Sequence, residues 1–305
     1  MVNPEMMAQM ARGDGFIAAL DQSGGSTPGA LRQYGVPDSA YQNEAEMFAL
    51  VHAMRVRIIA APAFVGSKVI AAILFERTMD GEAQGLPVPA FLWRERHVVP
   101  FLKVDQGLEA EKDGVRLMKP MPGLEALLDR AIQREVFGTK MRSVINRASP
   151  SGVEAIAAQQ FDFARTIAAR GLTPIIEPEV SIDSPDKARA EALLRKALLT
   201  RLDALPAGVR VMLKLTIPDA PDFYAPLIDH PQVIRVVALS GGYTRAEACR
   251  RLAANRNMIA SFSRALVEDL RQSMTDDAFN AALAEAIDEI YRASTVKTTG
   301  APAAP

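Results

Sequence analysis

The sequence predicts a single-domain α/β fold, a closed (β/α)8 or TIM barrel, on three observations. Short apolar runs alternate with amphipathic helical stretches along the chain, the order that gives parallel strands joined by crossover helices. Eight such units fill about 250 residues, the usual length of a closed barrel. No GxGxxG follows the first run, which disfavours the alternative, an open doubly wound sheet.

In chain order the strand-like runs are GFIAAL (15–20), VIAAILF (69–75), VVPFLKV (98–104), KMRSVIN (140–146), TPIIE (173–177), VRVMLKL (209–215), VIRVVAL (233–239) and MIASF (258–262). Each is short and nearly continuous in apolar character, as a strand buried on both faces requires. Helical patterns are expected over 44–56, 123–135, 152–170, 185–204, 244–254 and 264–271. The stretch RVRIIAAP (55–62) competes as a further strand. The expected domain spans 1–297 and opens with an N-terminal helix. The small, proline-rich TTGAPAAP (298–305) reads as a disordered tail.

Composition narrows the function. The chain has 305 residues, 49% of them hydrophobic, and a net charge of -1. That balance predicts no general affinity for nucleic acid or an acidic membrane. No apolar run reaches the length needed to span a bilayer, and the N-terminus carries no signal-peptide pattern. Cys249 is the single cysteine, so an internal disulfide is excluded and a cytoplasmic location fits. Assembly into a homo-oligomer is compatible with this composition. His52, His97 and His230 are scattered without metal-ligand spacing, so no metal or other cofactor is expected. No Ser-His-Asp or Cys-His arrangement is suggested either.

Charge inside the strands is the main chemical signal. Residues two apart in a strand share a face, so Met212, Lys214 and Thr216 lie together, with Lys214 late in its run. Catalytic groups of such barrels sit at the C-terminal ends of the strands. Glu177 and Glu179 end the fifth run, Lys103 and Asp105 the third, and Asp21 follows the first. Lys140 and Arg142 stand together at the start of the fourth, which is low for a group serving that face. Strands five and six are neighbours in a barrel, so a plain Glu177–Lys214 ion pair is one reading. Five strands carrying charge exceed what a stable core requires. By contrast, WRERH (93–97) and RKALLTRLDAL (195–205) read as solvated faces.

Two glycine-serine turns complete the pattern. Ser240, Gly241 and Gly242 precede a helix beginning near Thr244, and Ser23, Gly24, Gly25 and Ser26 follow the first run. Backbone N–H groups in such turns attract anions. Loops after the last two strands of barrels often hold phosphate, and Arg264 lies there too. Two separated cradles suit a substrate with a phosphate at each end. The remaining chemistry is an amine nucleophile among carboxylates and cations: a neutral lysine attacks a ketone and forms a Schiff base.

The motifs ALDQSGGS, FLKVDQGL, KMRSVI, IIEPEV, MLKLTIP, LSGGYTRAEA and SFSRAL, in this order over about residues 12–293, resemble the class I fructose-bisphosphate aldolases in a shorter bacterial-type version. AILFERTMDGEAQG is similar to that family as well. The resemblance implies roles at matching positions. Lys214 would be the Schiff-base nucleophile, Glu177 the general acid/base, and Glu179 its support. Asp21 would act on the hydroxyl beside the breaking bond. Lys140 would stabilise developing oxyanions, and Arg142 would contact substrate. Ser240, Gly241, Gly242 and Arg264 would bind one phosphate; Ser23, Ser26 and Lys103 would approach the other. The implied partner is a small-molecule phosphosugar, split reversibly in glycolysis or gluconeogenesis into dihydroxyacetone phosphate and glyceraldehyde 3-phosphate.

The chain also departs from the better-known animal-type pattern. Gln22 stands where that pattern has an acidic residue, LKLT replaces LKPN, and Tyr291 is the last tyrosine. The family's C-terminal tyrosine, tied to enamine protonation, therefore has no counterpart to carry over. The alternatives are a Schiff-base lyase or transaldolase acting on another phosphosugar, and a non-catalytic barrel scaffold. An amine-based mechanism predicts that cleavage of fructose 1,6-bisphosphate survives EDTA; loss of the rate on chelation and its return with a divalent cation would contradict it.

Overall fold

The computed structural model describes residues 3–23 and 27–298. Among them, eight parallel strands form the barrel: β1 Phe16–Leu20, β2 Val69–Leu74, β3 Val99–Lys103, β4 Gly138–Ile145, β5 Thr173–Val180, β6 Val211–Thr216, β7 Val233–Leu239 and β8 Ile259–Phe262. Each pairs with its neighbours in chain order, and β8 returns to β1. Closure removes the unpaired edges that an open sheet would leave.

The helices are α1 Pro4–Arg12, α2 Thr27–Gln33, α3 Glu44–Ala60, α4 Glu76–Asp80, α5 Val88–Arg96, α6 Leu124–Gln133, α7 Pro150–Ala169, α8 Lys187–Asp203, α9 Ala225–Ile228, α10 Arg245–Ala253, α11 Arg264–Val267 and α12 Asp276–Thr295. Helix α1 starts where Asn3 caps it, accepting from the N–H groups of Glu5 at 2.9 Å and Met6 at 3.2 Å. Its Met6 and Met10 join the barrel's inner core with Ile17, Ala71, Val99, Phe101, Ile175, Met212 and Val237. A second, larger core lies between strands and outer helices, where Ala18, Ala72, Leu102, Met141, Ile176, Leu213 and Val236 meet helical residues such as Ile58, Phe161, Leu198 and Ile287. The period-two alternation of a strand thus divides each run between two hydrophobic compartments.

Several sequence expectations are corrected. RVRIIAAP (55–62) is no strand: residues through Ala60 continue α3, where Val51, Met54, Ile58 and Ile59 are buried at helical spacing. The helix expected over 264–271 stops at Val267. Helix α12 was not anticipated, although Thr275 caps it, Asp276 and Asp277 favour its first turn, and Phe279, Leu283, Ile287 and Ile290 form its buried stripe. The segment 195–205 is solvated on one side only, since Leu198 and Leu202 are fully buried. Cys249 is buried in the outer core. Thr298 still bonds to the Ala253 carbonyl at 3.0 Å; the tail expected beyond it lies outside the described residues. No helix among the described residues is long and apolar enough to cross a membrane.

The staggered register of the barrel resolves the awkward fourth strand. Strand β4 begins at Gly138, earlier than the sequence suggested. Lys140 is level with Lys103, the last residue of β3, while Arg142 is level with Glu177. Shear therefore lifts the lower half of β4 to the site. Gly138 is required for this pairing, because a Cβ there would stand 2.2 Å from the Thr173 carbonyl oxygen and 2.6 Å from the Phe101 ring. Gly138→Ala is expected to destabilise the protein by about 3 kcal/mol through overpacking, read as a lower urea midpoint; an unchanged midpoint would show that β4 and β5 can separate without cost.

Candidate active site

The inward-facing columns change character along the strands. Ile17 and Ala19 lie beneath Asp21, Phe101 beneath Lys103 and Asp105, Ile175 beneath Glu177 and Glu179, and Met212 beneath Lys214. Above this apolar floor a cavity of about 690 Å3 opens, lined by charged groups from strands β1 and β3 to β6 and by loop residues around the mouth. The sequence pattern of apolar run followed by charge is therefore the vertical profile of the barrel interior.

The innermost groups form one ion network. Lys214 Nζ is 3.0 Å from Glu177 Oε1. Lys140 Nζ stands 3.1 Å from Glu177 Oε2, 2.6 Å from Asp21 Oδ2 and 3.9 Å from Asp105 Oδ2. Lys103 Nζ contacts Asp105 Oδ1 at 2.7 Å and donates to the Asp105 carbonyl at 2.5 Å. Arg142 pairs with Glu179 at the rim, and its backbone N–H donates to Asp105 Oδ2 at 3.3 Å. Lys214, Lys140 and Glu177 are each less than 5% exposed.

Burial and charge act in opposite directions here. Burial alone would raise the Asp21 carboxyl, but Lys140, Lys214 and Lys103 outweigh it and bring its pKa to about 2. Burial likewise opposes the Lys140 ammonium, yet Asp21, Glu177 and Asp105 hold it well above its usual value. Lys140 is thus a permanent cation at the centre of the site. Arg142 behaves in the same way: burial lowers its pKa, and Glu179 and Glu177 raise it further than burial lowers it.

Groups behind the cavity fix these side chains. Gln160 of α7, fully buried, accepts from the Glu177 N–H through Oε1 at 2.8 Å, so a helix side chain ties down the backbone of β5 at the glutamate. Thr216 Oγ1 donates to the Val180 carbonyl at 2.7 Å, tying β6 to β5 just above Lys214. Arg55 of α3, 1% exposed, donates to Thr78 Oγ1 at 2.7 Å and to the Gln22 carbonyl. Burial lowers the Arg55 pKa to about 10 against the pull of Asp21. Gln22 Nε2 in turn donates to Ser263 Oγ at 2.6 Å, joining the loops after β1 and β8. Sequence reading missed Gln160 and Arg55, because nothing local separates a buried polar residue on a helix from a surface one, and Ser263, whose partner Gln22 is 241 residues away.

Of the residues expected to bind phosphate, Lys103 belongs to the ion network of the cavity. Ser23, Ser240, Gly241 and Arg264 line the cavity. Gly242 does not, but its backbone (φ 122°) allows the turn, and a Cβ on Gly241 (φ 63°) would lie 2.6 Å from Ile182. Ser26, with Gly24 and Gly25, lies outside the described residues. The lining also contains Arg116, which sequence reading did not single out. His52 and His230 are occupied elsewhere, with the Glu82 carbonyl and Asp203.

Fold and cavity together describe a barrel whose chemically able groups are amines and carboxylates, a set suited to imine-forming enzymes. The chain belongs to the class I fructose-bisphosphate aldolase family: the model of that family, described as glycolytic fructose-bisphosphate aldolase class-I, matches residues 5–215. It is 55% identical over 292 residues to fructose-bisphosphate aldolase class 1 of Synechocystis sp., covering 96% of this chain and 97% of the relative. It is 53% identical over 293 residues to the protein of the same name from Porphyromonas gingivalis, covering 96% and 99%. Its fold is similar to fructose-bisphosphate aldolase from Plasmodium falciparum, solved with TRAP and a small-molecule inhibitor, at a TM-score of 0.75 and 18% identity over 98% of this chain and 96% of that one.

The Asp21 shift has a consequence for stability. A carboxylate with a depressed folded pKa stabilises the fold above its unfolded value and loses that contribution as the pH falls through the folded one. For Asp21 the window runs from 3.8 down to about 2, and the contribution is about 2 kcal/mol. Urea titrations should find Asp21→Asn less stable than the unaltered protein near neutral pH, with the gap closing below 3.8; a gap independent of pH would contradict the pairing.

Proposed function

We propose that this chain cleaves fructose 1,6-bisphosphate reversibly to dihydroxyacetone phosphate and glyceraldehyde 3-phosphate through an imine on Lys214. The observation that carries the reading is the Lys214 amine, buried in β6 with Glu177 Oε1 at 3.0 Å and open to the cavity. Attack on a ketone needs the neutral amine, and Glu177 is within reach to accept its proton. After Lys214 adds to C2 of the open-chain sugar, Glu177 returns a proton to the departing hydroxyl, water leaves and an iminium remains. Lys140, fixed as a cation beside Glu177 and Asp21, offsets the negative charge that develops on oxygen during these transfers.

Carbon–carbon cleavage follows from the same arrangement. Asp21, ionised near neutrality, accepts the proton of the C4 hydroxyl. The C4 oxygen becomes a carbonyl, the C3–C4 bond breaks, and its electron pair moves into the iminium to give an enamine. Glyceraldehyde 3-phosphate leaves; protonation of the enamine at C3 and addition of water release dihydroxyacetone phosphate and restore Lys214. Glu179 holds Arg142 at the rim, where the guanidinium meets the substrate. Ser240, Gly241 and Arg264 take the C1 phosphate, since β7 is the immediate neighbour of β6. Ser23 and Lys103 serve the C6 end.

The proposed domain is the whole barrel with α1 as its floor. A reducing cytoplasm suits it: the Cys249 thiol is buried and pushed up to about 12 by burial and Glu289, which makes it a poor nucleophile. Borohydride added with fructose 1,6-bisphosphate should fix a sugar to the protein, and peptide mapping should find it on Lys214. Lys214→Met should abolish both adduct and turnover while keeping the unfolding transition, because an apolar chain of similar length suits that position. A label on another lysine, or none on the folded protein, would overturn the assignment.

A further inference from the structure

Six cations line the cavity: Lys103, Arg116, Lys140, Arg142, Lys214 and Arg264. Lys103, Lys140, Arg142 and Lys214 each contact a carboxylate of the same cavity. Among the described residues, Arg116 and Arg264 have no carboxylate at ion-pair distance. Arg264 follows β8 directly and faces the Ser240–Gly242 turn, where a Cβ on Gly242 would be 3.7 Å from its Nη2.

Arg116 stands on the other side of the ring. It belongs to a short ribbon, Val115–Arg116, that pairs antiparallel with β4, placing Val115 opposite Ile145 and Arg116 opposite Val144. Strand β4 is four places from β8 in either direction around the eight-stranded ring. The two unpaired guanidiniums therefore occupy opposite walls of the mouth, with Lys214 on β6 midway along the arc between them. Arg116 is also held in place, because its Nε donates to the Glu109 carbonyl at 2.9 Å. Its two terminal nitrogens remain as donors for an anion, in the forked geometry that matches a phosphate.

Building on the reaction proposed above, we infer that Arg116 is a ligand of the substrate's C6 phosphate and sets the preference for a sugar carrying two phosphates. With C2 at Lys214 and the C1 phosphate at the β7 and β8 loops, the rest of an open-chain ketose extends towards β4. Arg116 is the half-buried cation on that wall whose charge the cavity does not already use.

The test compares fructose 1,6-bisphosphate with fructose 1-phosphate, which lacks only the distal group, in the full-length protein and in Arg116→Gln and Arg116→Lys. A lost charge-assisted contact should lower the ratio of kcat/KM for the bisphosphate to that for the monophosphate by about tenfold or more. The change should lie mainly in KM for the bisphosphate, and Arg116→Lys should recover part of it. An equal loss on both sugars would make Arg116 a structural residue of the ribbon and overturn the inference, as would an unchanged ratio. Failure of the unaltered protein to split the bisphosphate or to form a borohydride adduct would sink the underlying reaction instead, and the two failures are separately visible.

Discussion

The Lys140 ammonium is the contact on which the rest of the interior depends. Three lysines and three carboxylates, Lys103, Lys140, Lys214, Asp21, Asp105 and Glu177, are held above the hydrophobic floor of a closed barrel. An isolated charge in such a place would cost several kcal/mol. Lys140 meets carboxylates from three strands, β1, β3 and β5, at one point. It thereby converts separate desolvation costs into a mutually compensating set. The cation that allows Asp21 to remain ionised is also the one placed to receive negative charge during turnover. Stability and chemistry are therefore joined at that atom.

The geometry that allows this is ordinary barrel geometry. Inward residues recur every second position, so a strand that reads apolar at its start and charged at its end delivers a packed floor and a reactive roof from one column. Shear then sets which rows meet. Lys103 ends β3, whereas Lys140 stands third in β4, yet the two are paired in register. On its other side Lys140 is paired with Ile175 of the floor, so the length of its side chain carries the ammonium up to Glu177 and Asp21. Supporting contacts come from outside the barrel. Gln160 holds the backbone of Glu177, and Arg55 holds the loop after Asp21. Both helices thus contribute more than apolar burial to the site.

Much of this was legible in the sequence, for a physical reason. A lysine in VRVMLKL or a glutamate in TPIIEPE contradicts the local apolar pattern, and such contradictions mark positions where function overrides packing. Asp21, Lys103, Lys140, Glu177 and Lys214 all announced themselves in that way, and the structure brings them together. What stayed hidden lacked such contrast. RVRIIAAP contains β-branched residues that suit either element, and its helical state follows from the stripe continuing out of α3. Gln160 and Arg55 lie on amphipathic helices, where only the fold decides which polar side chain faces inward. Arg116 sits in a two-residue ribbon, and its value comes from pairing with β4, a long-range fact that no local spacing encodes.

The distribution of paired and unpaired cations follows from exposure. Groups deep in the barrel exist in the empty protein as well as in the complex, so each must be compensated without substrate; the equal count of lysines and carboxylates there meets that demand. At the rim, Arg264 is exposed and Arg116 half-buried, so water carries part of their charge and no fixed carboxylate is required. Six cations against four carboxylates line the cavity as a whole, a surplus of two in a chain whose net charge is -1. The surplus lies where an arriving anion first meets the protein, and a concave site of one sign concentrates field lines towards its opening. Neutrality inside and positive charge at the mouth thus answer separate physical demands, an empty site that must stay folded and a polyanionic substrate that must be drawn in.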